Sequence, residues 1–420
     1  MNDKRSSTVK LDKDKCKGCI ACMRKCPTEA IRIKDGIAMV HYEKCIGCGE
    51  CIRVCGSHAK RAVYDSLDML HKSKFKYKVA LPSPSLYGQF NNLEDVDIVL
   101  TGLLNMGFDR VFEVSAGAEL VSEATRKLIA SGEVQKPIIS SACPAIVELI
   151  LLRFHDLKDN LLPLLAPVDV SAKLAREVVM KETGLKNEEI GVFFISPCPA
   201  KVFAIQNNLG TKKKRIDGIF SQSEVYFALV KEMNKIVTPQ KIQSSGILGI
   251  GWASSGGECN GVRLDKYLSA DGIENCIAIL KELEDDKLSD IEFIELNACP
   301  GGCVGGVLNI ENPFVAKTKI QNLRKNMPVT KAKLASFGKN ANDMRWEQPL
   351  DTADVFKFSD DMLKAMQIMA DIEKIERNLG GIDCGLCGAP SCRAYAEDII
   401  LYGEAEDKCV RKQGETNESV

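Results

Sequence analysis

The chain has 420 residues, of which 45% are apolar, and its 57 acidic and 56 basic residues leave a formal net charge of −1. This length predicts two to four domains at roughly 100–200 residues each, and the balanced charge argues against nucleic acid or an anionic membrane as a partner. The first stretch, MNDKRSSTVKLDKDK, has no apolar h-region, and no apolar run approaches the roughly 18 residues of a membrane span. We therefore expect a cytoplasmic protein.

The cysteine content is the most informative part of the composition. The chain has 18 cysteines, and most of them are in tight clusters with pairs as close as C-x2-C. In a secreted chain such a number would indicate disulfides, but this spacing in a cytoplasmic chain is typical of metal ligands. We therefore expect metal centres.

The N-terminal elements contain the same cysteine pattern twice. Residues 16–27 (CKGCIACMRKCP) and 45–56 (CIGCGECIRVCG) each read C-x2-C-x2-C-x3-C, which is the bacterial ferredoxin pattern for two [4Fe–4S] clusters. The fourth cysteine of each run serves the other cluster, because it cannot fold back onto its own. Zinc is the alternative, but it does not explain a doubled four-cysteine run. The predicted ligand sets are Cys16, Cys19, Cys22 and Cys55 for one cluster, and Cys45, Cys48, Cys51 and Cys26 for the other. We predict a ferredoxin-like α+β domain over 1–72 that transfers electrons to or from the rest of the chain.

The middle of the chain, 75–345, alternates strand-like and helix-like runs. Such alternation predicts α/β layers with mainly parallel sheets. The predicted strands are YKVALPS, RVFEVS, KPIISSAC, EIGVFFISPC and IEFIELNAC. The predicted helices are EDVDIVLTGLLNMG, ELVSEATRKLIASG, VSAKLAREVVMKETG and SQSEVYFALVKEMNK.

Three of these strand-like runs end in a cysteine that is followed by proline, at Cys143, Cys198 and Cys299. Ligands of open α/β sheets bind beyond the carboxyl ends of strands, so we expect these thiols at a site. With Cys303 they make four, which is enough for one more cubane. Any one of the three cysteines before proline, taken alone, would be read as an ordinary buried cysteine before a turn.

The C-terminal elements contain a further cysteine set. An amphipathic helix is predicted over 361–378, with Gly380 and Gly381 as its stop, and a second helix over RAYAEDIILYGEA. Between and after them the spacing is C-x2-C-x4-C-x16-C. We predict a small helical domain over 355–415 that holds one [4Fe–4S] cluster, with zinc as the alternative. Its ligands are Cys384, Cys387, Cys392 and Cys409.

Three loops of the middle domain resemble the signature loops of the [FeFe]-hydrogenase family. SSACP, SPCPAK and ELNACPGGCVGG take the places of T-S-C-C-P, M-P-C-x-x-K and E-x-M-x-C-x-x-x-C-x-x-G. The resemblance spans about 10–345 and predicts the two-lobed hydrogenase fold. It implies that Cys143, Cys198, Cys299 and Cys303 bind the cubane of the H-cluster. Cys303 would also bridge to a diiron subcluster with CO, cyanide and azadithiolate ligands, which maturation proteins install, and Lys201 would hydrogen-bond a cyanide.

The sequence departs from the family at its proton relay. Ala142 replaces the relay cysteine, and Ser196 and Asn297 replace the second- and third-loop methionines. Thr125 and Leu128 align with relay glutamates. These substitutions resemble the sensory branches of the family, so slow turnover in H2 or redox sensing is implied. Glu258, which follows two glycines, is our candidate for a substitute proton route.

The resemblance implies the reversible reaction of two protons and two electrons to H2. Its expected partners are H2, protons, a redox partner such as ferredoxin, maturation proteins and a signalling protein, with neither nucleic acid nor a membrane. Two other functions stay open at this point. One is a bulk catalyst with an unfamiliar proton path, and the other is a non-enzymatic iron–sulfur protein like the narf-type relatives, which lack the diiron unit.

Overall fold

The computed structural model describes residues 7–352, 358–359, 361–405 and 408–410, except for one side chain, that of residue 326. Parts of the predicted first and third domains therefore lie outside the described residues, namely 1–6, 355–357, 360, 406–407 and 411–415. The strands are β1 Val9–Leu11, β2 Ile31–Lys34, β3 Ile37–Val40, β4 Lys60–Ala62, β5 Tyr77–Pro82, β6 Arg110–Val111, β7 Ile138–Ile139, β8 Ile190–Ser196, β9 Gly218–Ser221, β10 Tyr267–Asp271 and β11 Phe293–Asn297. The helices are α1 Ala21–Arg24, α2 Glu50–Arg53, α3 Asp68–Lys72, α4 Val96–Asn105, α5 Val114–Ser131, α6 Pro144–Arg153, α7 Pro167–Thr183, α8 Pro199–Gln206, α9 Gln222–Met233, α10 Ile247–Gly251, α11 Gly257–Val262, α12 Ile273–Glu284, α13 Pro313–Leu323, α14 Met362–Asn378 and α15 Cys392–Tyr402.

The chain forms two compact units. One consists of residues 62–351, and the other combines residues 1–61 with residues 352–420. The predicted ferredoxin-like segment and the predicted C-terminal module thus belong to the same unit. No helix of the described residues is long and apolar enough to cross a membrane.

The larger unit is built on two parallel sheets. One has the order β6-β5-β8-β9, and the other has the order β10-β11-β7. All seven residues of β8 are buried, as expected for a parallel strand that is covered on both faces. Successive side chains of β8 pack into two different apolar cores: Val192 and Phe194 into one, Phe193 and Ile195 into the other. The predicted α/β architecture with mainly parallel sheets is confirmed.

The pairing of β7 with β11 brings two of the predicted cysteine loops together. Phe293 is opposite Ile138 and Ile294 is opposite Ile139 in this parallel pair. The chain that leaves β7 reaches Cys143, and the chain that leaves β11 reaches Cys299. Because parallel strands end at the same edge of a sheet, the two loops lie side by side.

The described part of the smaller unit contains two short β-ribbons, β1 with β4 and β2 with β3, together with the α-helices α1, α2, α14 and α15. α14 packs against α15 around Ile372 and Tyr395. The C-terminal segment also pairs with β2, because the Ile33 N–H donates to the Gly388 carbonyl at 2.8 Å. A side chain on Gly388 would meet the Ile33 carbonyl oxygen at 2.1 Å, so only glycine allows this approach.

The predicted elements differ from the observed ones in a few places. RVFEVS contains only the two-residue strand β6, because the chain turns into α5 at Val114. KPIISSAC contains only the two-residue β7. α14 ends at Asn378 with an extended Leu379, before the predicted glycine stop. The helices that correspond to EDVDIVLTGLLNMG and SQSEVYFALVKEMNK are present as α4 and α9.

Candidate functional site

All eighteen cysteines lie in the described ranges, and none is disulfide-bonded. In the smaller unit, Cys22 has three other thiols close to it. Burial raises the pKa of Cys22, and the neighbouring thiols of Cys19, Cys55 and Cys16 raise it further. These are the four cysteines of the first predicted ligand set.

The second set surrounds a cavity. Burial, followed by the nearby thiols of Cys26, Cys51 and Cys45, raises the pKa of Cys48 well above its ordinary value. The same four cysteines line one cavity, whose other walls are mainly apolar and include Ile31. A cavity bounded by four thiols and apolar side chains suits an iron–sulfur cluster. Among the described side chains, no group of three or more His, Cys, Asp or Glu could hold a single metal ion.

The C-terminal set comes from the start of α15 and from the segments before and after this helix. Burial raises the pKa of Cys387, and the thiols of Cys384 and Cys409 add to this effect. Cys392 begins α15, and its N–H donates to Asp383 Oδ1 at 2.6 Å. The Cys387, Cys392 and Cys409 side chains pack against one apolar cluster.

In the larger unit, helix starts and a glycine loop position the four remaining ligand candidates. Cys143 and Cys198 each immediately precede a helix, α6 and α8, and each is followed by proline at the first helical position. Proline suits this position because its missing N–H has no helical partner. The sulfurs therefore lie at helix N-termini, where the helix dipole favours a thiolate.

The loop that contains Cys303 is closely packed through its glycines. Gly302 has a φ of +90°, and a side chain there would approach the Ser255 nitrogen to 2.4 Å. A side chain on Gly306 would approach the Pro197 carbonyl oxygen to 2.2 Å. This second contact ties the Cys303 loop to the segment just before Cys198, so that the third and second signature loops share one site.

Lys201 is the cation of this site. Burial would lower its pKa, but the thiolates around it raise the pKa above its ordinary range. Its Nζ lies 3.5 Å from the carbonyl oxygen of Ala142, to which it donates. The thiolates that act on Lys201 are Cys303, Cys198, Cys143 and Cys299. One side chain is thus close to all four predicted ligands, which three separate segments deliver.

A cavity lies next to these groups. Its walls include Ala142, Lys201, Glu258 and Cys303. The remaining walls are largely apolar, with Pro84, Val114, Ala118, Pro167, Val168 and Trp252 among them. The Cys303 thiol and the Lys201 ammonium both line the cavity, so a metal unit attached to Cys303 would fit there.

Two buried carboxyl groups, Glu258 and Glu295, line this cavity and differ in their hydrogen-bond partners. Glu295 accepts hydrogen bonds from the N–H groups of Gly256 and Cys259, both at 2.9 Å, and from Asn297 at 2.8 Å. Glu258 accepts only one, from the Ser140 hydroxyl at 2.5 Å, and its second oxygen has no partner in the described residues. Burial, followed by repulsion from Glu295, raises the pKa of Glu258 to about 8. Burial raises the pKa of Glu295 as well, but its three donors stabilise the charged form, so the proton of the pair is favoured on Glu258.

The other substituted positions are placed as follows. Ser196 is fully buried at the end of β8, and its hydroxyl donates to the Cys198 carbonyl at 3.0 Å. Asn297 lines the cavity. Thr125 and Leu128 are buried in α5, where the Thr125 hydroxyl donates to the Val121 carbonyl at 2.8 Å. The hydroxyl of Thr125 is thus used within its own helix.

Ser140 and Glu295 are functional candidates that sequence reasoning missed. Both lie within signature loops, yet nothing in the sequence indicated that Ser140 would contact Glu258, which is 118 positions away. Ser140 directly follows β7 and Glu295 lies within β11, and these places beside the predicted cysteine loops were the available signal.

Known protein families match the N-terminal, middle and C-terminal parts of the chain. The family described as iron only hydrogenase large subunit, C-terminal domain, matches residues 76–244 and 228–307, which is more than half of the chain. A 4Fe-4S dicluster domain matches residues 8–56, and an Fe-S cluster family matches residues 379–411. The chain belongs to the iron-only hydrogenase family.

Solved structures and curated relatives add the fold and one local similarity. A variant of [FeFe]-hydrogenase HydA1 from Chlamydomonas reinhardtii has a TM-score of 0.50 at 14% identity, covering 69% of this chain and 95% of that one. A HydA structure that concerns stepwise H-cluster assembly has a TM-score of 0.48 at 14% identity, with 66% and 92% covered. One component of an ion-translocating oxidoreductase complex from Pectobacterium atrosepticum is 47% identical over 38 residues. Those residues are 9% of this chain and 20% of that protein.

Proposed function

We propose that this protein interconverts H2 with protons and electrons at an H-cluster, slowly, and that it reports H2 or redox state to a partner. The observation that supports this proposal best is the cavity beside Lys201 and Cys303, with four cysteines around the same lysine. A redox partner such as ferredoxin, a signalling protein and a cytoplasmic location belong to the same proposal.

The residues present suit the cofactor that the family implies. Cys143, Cys198, Cys299 and Cys303 would hold its cubane, and Cys303 lines the cavity that a diiron unit with CO, cyanide and azadithiolate ligands would occupy. Bound there, the diiron unit would supply the redox chemistry of hydrogen. The Lys201 ammonium would donate a hydrogen bond to an anionic ligand in the cavity, because it is already next to the Cys303 thiolate.

Slow turnover follows from the side chain of Ala142. A general acid or base has to lie within hydrogen-bond reach of the proton that it moves, about 2.6–3.2 Å or one water away. Ala142 lines the cavity, but its methyl group neither donates nor accepts. Thr125 and Leu128 do not replace carboxylates on the usual path, because Leu128 is apolar and the Thr125 hydroxyl donates to its own helix.

Glu258 is the residue that we propose for an alternative proton route. It lines the cavity, it is buried, and one of its oxygens has no partner among the described residues. With a pKa of about 8, the carboxyl group holds its proton at neutral pH and releases it above that value. The Ser140 hydroxyl, which donates to Glu258 and accepts from the Ala142 N–H at 3.1 Å, orients the carboxyl group.

The test is H2 turnover of Glu258→Gln in matured protein under matched redox conditions. We expect a loss on the order of 10²-fold, the lower range for removal of a general acid or base, with little change in the infrared bands of the cluster. H2 evolution by the unsubstituted chain should also fall above about pH 8, where Glu258 loses its proton, and the variant should lose this dependence. Thr125→Val, a buried substitution on the usual path, is the matched control and should leave turnover unchanged. An unchanged rate in Glu258→Gln would show that the route is wrong.

A further inference from the structure

The two cysteine runs of the smaller unit are structural repeats, including the residues that follow them. CPTEAI at 26–31 corresponds to CGSHAK at 55–60. The Ala30 N–H donates to Cys26 Sγ at 3.3 Å, and the Ala59 N–H donates to Cys55 Sγ at the same distance. Ile31 and Lys60 therefore occupy equivalent positions.

Lys60 replaces an apolar core residue of the first repeat with a cation. Ile31 is 2% exposed and Lys60 is 3% exposed. Within the described residues, Lys60 Nζ has no hydrogen-bond partner. An isolated ammonium in such a position is costly unless an opposite charge compensates it. Its burial therefore points to a negatively charged group at this place.

The thiols around Lys60 belong to both predicted ligand sets. Burial raises the pKa of Cys22, and the Lys60 ammonium is the strongest influence that lowers it. Burial and Cys45 raise the pKa of Cys51, and Lys60 is again the opposing influence. Cys22 belongs to the first set and Cys51 to the second, so the ammonium is close to ligands of both.

We propose that the Lys60 ammonium sets the reduction potentials of the two N-terminal clusters, by stabilising their more negative, reduced forms. The potential of an iron–sulfur cluster depends on net charge, on hydrogen bonds to the sulfurs and on burial. A unit charge in a buried place acts more strongly than one in water, and this one supplies N–H donors as well. The proposal rests on the dicluster assignment of residues 8–56 and does not require hydrogen chemistry.

The experiment is a redox titration, followed by electron paramagnetic resonance, of the full chain loaded with iron and sulfide. Lys60→Met keeps the length of the side chain and removes the charge. At a fixed poise we expect the ratio of reduced to oxidised cluster to fall at least tenfold for one or both N-terminal clusters, which is ~59 mV for a one-electron couple. Lys10→Met is the matched control, because Lys10 is exposed on β1, the strand that pairs with β4. It should leave both potentials unchanged.

Two results would overturn the proposal. The first is a Lys60→Met protein with full iron content and unaltered potentials. The second is that neither Lys60→Met nor Lys60→Gln loads iron while Lys60→Arg does, because the charge would then serve assembly rather than potential. The titration needs neither a diiron unit nor H2 turnover. It therefore tests the role of Lys60 even if the chain has no hydrogen chemistry.

Discussion

The attachment of the C-terminal module is tested by the substitution Asp398→Ala. Asp398 accepts two hydrogen bonds from the Arg32 guanidinium, at 2.5 Å from Nε and 3.1 Å from a terminal nitrogen. The two side chains are 3% and 5% exposed. Removing the carboxylate leaves a buried guanidinium without its counter-charge, which costs about 3–5 kcal/mol. At about 1.4 kcal/mol per factor of ten, the equilibrium for local opening should rise at least a hundredfold.

Amide hydrogen exchange of α15 in the iron-loaded chain measures this opening. We expect α15 to exchange at least a hundredfold faster in Asp398→Ala than in the unsubstituted chain. Glu373→Ala is the control in the same unit, because its ion pair with Arg377 is exposed and such pairs contribute about 0–1 kcal/mol. Equal protection of α15 in Asp398→Ala and in the control would refute the role of the buried pair.

Three further predictions follow from the cysteine sets and the proton path. Iron analysis should give about 18 irons per matured chain and about 16 without maturation, from four cubanes and one diiron unit. Saturation near 12 irons would contradict the assignment of the C-terminal cluster. Zinc at Cys384, Cys387, Cys392 and Cys409 would contradict it as well. Deleting residues 350–420 should leave H2 chemistry with artificial donors largely intact, and a loss of activity with a persistent H-cluster spectrum would make the module an obligatory relay. Because Arg32 loses Asp398 in that deletion, the iron content of residues 1–61 has to be measured alongside. Ala142→Cys should raise turnover only modestly, since Thr125 and Leu128 are unchanged; rates typical of catalytic family members would contradict this.

The sequence predicted the elements that have a long apolar run or a clear helix start. EIGVFFISPC is fully apolar at its centre, and β8 is buried in all seven residues. EDVDIVLTGLLNMG has an Asp at its start, and the Asp95 carboxylate accepts from the Asp97 N–H at the start of α4. The prediction of a strand over the whole of RVFEVS was wrong, because an apolar run this short suits a strand or a helix start equally well.

The remaining features depend on contacts between distant positions. Arg32 and Asp398 are 366 positions apart, so no local pattern indicated that the C-terminal module packs on the ferredoxin-like segment. The division of proton and charge between Glu258 and Glu295 likewise depends on which carboxyl group receives the N–H donors. Lys60 also belongs to this group, because the burial of its ammonium beside ligands of both cysteine sets was not expected from the sequence.

The infrared spectrum of matured protein in the CO and cyanide stretching region tests the central proposal most directly. If Cys303 and Lys201 flank a diiron unit, wild-type protein should show bands of both ligands. Lys201→Met should shift or weaken the cyanide bands, because it removes the proposed hydrogen bond. A spectrum without CO and cyanide bands, from protein that carries its full complement of cubane iron after exposure to maturation proteins, would contradict the proposal and favour a non-enzymatic iron–sulfur protein.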